Sequence, residues 1–524
     1  MIQARASIAR GGARLAGFLA LVLSVAAGAV SGAPRPKLTI LLVAELFRPE
    51  YLDRYRSSFS AGGFNRLLKG GAVFRQCRYE YMTTFPATGA AVLATGAYPE
   101  RNGIVAERWY DRQSRKVEGA VEDPEYLLVG SDQPKQPGSS PRNLRGTTLA
   151  DELRLATGGR SRALSISLRE PTAVLLAGRR PVGCYWLDAA GRFVTSSYYA
   201  DALPSWAAAF EKTHPLQRFR GRPWKALDAK ENAPPLRVID GREAYLASPF
   251  AMEEEFDFAR DGVTGEELGQ GGSSDLLVIS VSSLYLLGLE VGADSPLMRD
   301  VILRLDRKME EFLSWLDTKF GADKISVVFA ATQGVPDLPE TLQSEGIPAG
   351  RISGEQIAAA VNARLTAAFG RGQYVEKYVF PFLYLRREVI EGLSEAARLA
   401  GEGALSVPGV AGYLVPNGAS SFQATETVRA MARCWFPERT GDVLIAYQPH
   451  YMELYGDGRG VSPGSVYSYD TRVPLVFYGA AFQSQVFERP VSAADMAATL
   501  AAALEISPPS PSIGKVLFEA LKNR

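Results

Sequence analysis

The chain has 524 residues, 46% of them hydrophobic and 22% charged, with 58 basic and 57 acidic side chains and a formal net charge of +1. That composition excludes an intrinsically disordered chain. The near-neutral balance excludes a nucleic-acid or anionic-membrane partner recruited by charge.

The first thirty-odd residues stand apart. Arg5, Arg10 and Arg14 precede a short apolar run from Leu15 to Ala29, and the segment holds no acidic residue and no cysteine. Small-residue patterns ending at Ala29 and Ala33 offer two cleavage sites. A secretory signal peptide over residues 1–33 is expected, and with it an exported protein, periplasmic or secreted. Membrane attachment follows only if the leader stays uncleaved. Removing its three positive charges takes the formal net charge from +1 to −2.

From residue 34 onward the length suits one large α/β domain with an insertion. Residues 38–44 (LTILLVA) form a continuous apolar run, as expected for a central parallel strand buried on both faces. Residues 83–99 (TTFPATGAAVLATGAYP) have the outline of a nucleophile loop running into a helix, without a histidine or a carboxylate. Residues from about 115 to 270 hold Gly/Pro/Ser-rich links and an aromatic-rich segment around Tyr198, Tyr199 and Trp206, and read as a cap inserted on the sheet. Within them Glu253-Glu254-Glu255 reads as a solvated acidic run. Further strand-like runs lie at 275–281, 325–331 and 473–478, with an amphipathic helix predicted over 298–320. Strands alternating with helices predict a doubly wound, mostly parallel sheet flanked by helices, with chemistry at the strands' carboxyl ends.

Those ends carry few reactive groups. Glu45 follows the first strand, Ser282, Ser283 and Tyr285 the second, and Thr332 and Gln333 the third. The chain has two histidines, His214 and His450. A Gly-x-Ser-x-Gly elbow, a phosphate-cradling Gly-Lys-Ser/Thr loop and a Gly-x-Gly-x-x-Gly fingerprint are all missing. Cys77, Cys184 and Cys434 fit no zinc motif. They are expected as small buried side chains, with one disulfide as the alternative open to an exported chain.

A set of ordered motifs nevertheless resembles the alkaline phosphatase superfamily, in the branch of phosphate-irrepressible alkaline phosphatases and nucleotide pyrophosphatase/phosphodiesterases. They are Gly103-Ile104-Val105 with Trp109-Tyr110-Asp111-Arg112, the segment 148–154 (TLADELR), Ile166 to Arg169, Tyr185 to Asp188, Leu303 to Asp306, and the segment 467–474 (YSYDTRVP). The resemblance implies the family fold over residues 38–520, and in active members two zinc ions held by three aspartates, three histidines and a nucleophilic threonine.

Placed on the family pattern, the metal positions fall on Glu45, Tyr285, Leu289, Thr332, Gln333 and Pro463. Only Glu45 retains a carboxylate there. The nucleophile falls on Pro86 and its nearby histidine on Ala90, or, with a gap, the nucleophile falls on Thr84. The phosphate-binding asparagine falls on Glu107, and the Lys-x-Arg pair on Arg169 and Pro171. Zinc serves the active relatives, whereas here no cofactor is expected and no metal ligand is assigned. The resemblance thus implies an exported pseudoenzyme that binds or scaffolds an unknown ligand or protein partner. The alternative is an active phosphomonoesterase or phosphodiesterase with Thr84 as nucleophile and a rebuilt metal site.

Overall fold

The computed structural model describes residues 35–522 apart from 134, 390, 391, 417, 419, 424 and 457. The leader of residues 1–33 lies outside them. No helix among the described residues is long and apolar enough to cross a membrane.

An eleven-stranded sheet organises the chain. Its strands are β1 (Leu38–Ala44), β2 (Ala72–Arg78), β3 (Glu122–Val129), β4 (Pro137–Ser139), β5 (Ala163–Ser167), β6 (Gly183–Leu187), β7 (Phe193–Ser196), β8 (Asp275–Val281), β9 (Ile325–Ala331), β10 (Arg472–Gly479) and β11 (Gln485–Ser492). Their spatial order is β11-β2-β10-β9-β1-β8-β5-β6-β7-β3-β4. At the centre β9, β1, β8, β5 and β6 run parallel. β1, β8 and β9 are buried at every position, which is why all three read as predominantly apolar runs. β10, the fourth run expected from sequence, is a strand but lies antiparallel to β9.

Among the helices of the described residues are α1 (Pro86–Thr95), α2 (Glu170–Ala177), α3 (Pro249–Gly265), α4 (Ser283–Val291), α5 (Pro296–Phe320), α6 (Gly354–Phe369) and α7 (Leu393–Leu405). α5 is the amphipathic helix expected from sequence, started by Ser295, whose hydroxyl accepts the Met298 N–H at 3.0 Å. α1 and α2 pack on each other, and α3 lies across β5 and β8.

Two expectations are corrected. The part of the expected cap from residue 122 to 196 is not set on the sheet, because β3 to β7 extend the main sheet itself. β4 to β7 have only three to five residues each, and β3 is longer but largely polar and part-exposed, so none has the long apolar signature of β1. The separate layer lies later in the chain. There Val375–Val379, Phe382–Leu385, Val410–Leu414 and Val443–Tyr447 form a four-stranded antiparallel sheet, backed by α6 and α7. The acidic run 253–255 is not a solvated loop either. It lies in α3, where Glu254 is 5% exposed and Glu255 is fully buried.

Candidate functional site at the strand carboxyl ends

Parallel register brings the ends of β1, β5 and β8 side by side: Ala44 pairs with Val281, and Ser280 with Ser167. Glu45, the residue after β1, is therefore delivered into a ring of hydroxyls. Its Oε1 accepts from Ser282 at 2.5 Å, Thr172 at 2.6 Å, Ser280 at 3.1 Å and Ser167 at 3.4 Å. Its Oε2 accepts from Arg169 Nη1 at 2.9 Å. Glu45 is fully buried, so these donors replace water around its charge.

Arg169 immediately precedes α2 and links two carboxylates. Its second amino group lies 2.7 Å from Glu107 Oε2, and its Cζ sits 4.5 Å from the centre of the Tyr285 ring. Glu107 Oε1 accepts the Ala87 N–H at 2.6 Å, in the first turn of α1. Burial works against the charge on Arg169, but the Glu107 and Glu45 carboxylates outweigh it and hold its pKa above the ordinary arginine value. Burial pushes the Tyr285 hydroxyl up, against the pull of Arg169.

Glu45, Tyr285, Glu107 and Arg169 are thus brought together. The other expected positions do not join them by hydrogen bond. Pro86 opens α1 and Ala90 is buried within it. Thr84 is fully buried, and its hydroxyl donates to the backbone carbonyls of Ser465 at 3.3 Å and Met82 at 3.4 Å. Thr332 donates to Gln333 Oε1, while the buried Gln333 Nε2 finds no partner among the described residues. Leu289 engages through its carbonyl, which accepts from Val461 N–H at 2.7 Å. Pro171 lies in the first turn of α2, and Pro463 in the loop that leads to Ser465.

Neither histidine belongs to this array. His214 stacks on Phe210 with ring centres 3.8 Å apart, and His450 stacks on Tyr469 at 5.2 Å. All three cysteines are buried and free.

Sequence reasoning did not find the hydroxyl ring or Glu255. The serines were visible at the strand ends, but their convergence on Glu45 depends on sheet order. Among the described residues Glu255 has no hydrogen-bond partner on either oxygen. Burial, reinforced by the charge on Glu45, holds its carboxyl well above the usual range.

The model of the type I phosphodiesterase / nucleotide pyrophosphatase family matches residues 39–388. The chain belongs to that family. It is 27% identical over 539 residues to the alkaline phosphatase PafA of Elizabethkingia meningoseptica, covering 97% of this chain and 98% of that protein. It is 27% identical over 538 residues to the alkaline phosphatase PhoV of Synechococcus elongatus, covering 93% of each. The crystal structure of wild-type PafA superposes with a TM-score of 0.85 at 26% identity, covering 94% of this chain and all of that one. The family fold is therefore an alkaline-phosphatase fold along nearly the whole chain.

The expectation that no cofactor is called for is corrected by this end-to-end match, because the matched alkaline phosphatases are metal-dependent. The residues at the strand ends do not fit a two-zinc cage of their kind. Glu45 spends both oxygens on Arg169 and hydroxyls. Among the described residues no group of three or more His, Cys, Asp or Glu side chains is placed to hold an ion.

Proposed function

We propose that this protein keeps the alkaline-phosphatase scaffold but does not hydrolyse phosphoesters at the strand ends, and acts by binding or scaffolding. The carrying observation is the Glu45–Arg169–Glu107 array, which occupies the strand ends with internal charge pairs. A solved PafA mutant supports the same reading. It is substituted at a threonine, an asparagine, a lysine and an arginine spaced 21, 62 and 2 residues apart. Pro86, Glu107, Arg169 and Pro171 follow one another at those intervals. A proline has no hydroxyl to attack phosphorus, and a glutamate repels the anion that an asparagine accepts.

The leader pattern of residues 1–33 supports export, which N-terminal sequencing of protein recovered from the cell envelope would test.

The decisive assay uses the purified mature protein with aryl phosphate mono- and diesters, with and without added zinc, alongside metal analysis. No turnover is expected, and Thr84→Ala should match the parent. Turnover that Thr84→Ala abolishes would overturn the proposal in favour of a Thr84 hydrolase.

A further inference from the structure

Glu107 does more than lose an asparagine's role. It precedes the strand Arg108–Asp111 and reaches back to the first turn of α1. That ten-residue helix opens with Pro86, which has no N–H, and its N-cap is Phe85, whose side chain has no acceptor. The Ala87 N–H is thus a helix-end donor needing an acceptor from elsewhere, and the helix dipole favours an anionic one. A second donor converges on the same point. Arg169 is fixed on its far side by Glu45 and rests on Tyr285, which aims its second amino group here. A backbone amide at a helix start and a guanidinium together make an oxyanion position.

We propose that Glu107 determines ligand charge at this site. Its carboxylate is a tethered occupant of the oxyanion position formed by the Ala87 N–H and Arg169, and it shuts out free tetrahedral oxyanions. Two features carry this. The carboxylate takes both donors at short range, 2.6 and 2.7 Å, so neither is left for a ligand. With Glu45 and Glu107 against Arg169, the array has one excess negative charge, which repels an incoming anion. The Glu107 side chain remains 21% exposed, so the position is reachable from solvent. A tethered group also competes at a high effective concentration.

The inference rests on the array described above but is tested by binding, so it stands or falls separately from turnover. The mature protein is titrated with inorganic phosphate and with sulfate by calorimetry and thermal shift. The parent should show no binding in the millimolar range. Glu107→Ala should bind at least tenfold more tightly, and Arg169→Met added to it should abolish the gain. Glu107→Gln, isosteric and uncharged, keeps the position filled and should gain less than Glu107→Ala, and circular dichroism checks folding of each. Phosphate binding by the parent equal to that of Glu107→Ala would overturn the proposal. So would a folded Glu107→Ala that binds neither anion.

Discussion

The Arg169 guanidinium lies 2.9 Å from the Glu45 carboxylate, which is fully buried. Removing one member of a buried pair leaves the other charge desolvated and uncompensated, at roughly 3–5 kcal/mol. Arg169→Met should therefore destabilise the fold by about that amount in chemical denaturation. Combining it with Glu45→Gln should recover part of the loss, because the stranded charge is gone and the hydroxyls can still bond the amide. A double variant as unstable as the sum of the single variants would show that the two residues do not act as a pair.

Glu255 supplies a pH signature. Its folded-state pKa is held well above the ordinary 4.5, by burial first and the Glu45 charge second. The folded protein keeps a proton that the unfolded chain releases, so the associated stability is full below the unfolded pKa and is lost as pH rises through the folded value. Glu255→Gln is neutral throughout and escapes that loss. Its melting temperature should exceed the parent's by more at about pH 8 than at about pH 5. Equal differences at both pH values would mean that folding does not raise the Glu255 pKa.

Gly89 marks the contact between α1 and the end of β9. A Cβ there would lie 2.2 Å from the Thr332 carbonyl oxygen and 2.7 Å from its Cα, both backbone atoms that cannot swing aside. Gly89→Ala should cost about 1–3 kcal/mol through overpacking despite alanine's better helix propensity. A variant as stable as the parent in denaturant would show that α1 moves away freely.

The thiols test the burial of the core. Burial pushes the Cys434 thiol up to about 11, with weaker opposing help from its hydrogen bonds to Thr83 and Met82. Cys77 and Cys184 are raised by burial as well. The native protein should leave a thiol reagent unreacted at mildly alkaline pH, and the denatured, unreduced protein should release three equivalents. One equivalent after denaturation would reveal a disulfide.

Much of the fold was legible in the residues alone. β1, β8 and β9 announce themselves because strands buried on both faces tolerate almost no polar side chain, and α5 because one face of a long helix must be apolar. The scarcity of histidines and the proline at position 86 are also facts of the chain, and they suffice to question the relatives' chemistry. Tertiary structure alone decided that β3 to β7 belong to the main sheet, since they join it through partners far away in sequence. It also decided that Glu45 meets four hydroxyls and Arg169, that Glu107 reaches the start of α1, and that Glu255 turns inward from an acidic run. Each of those depends on distances between segments tens to hundreds of residues apart, and local sequence pattern carries no measure of them.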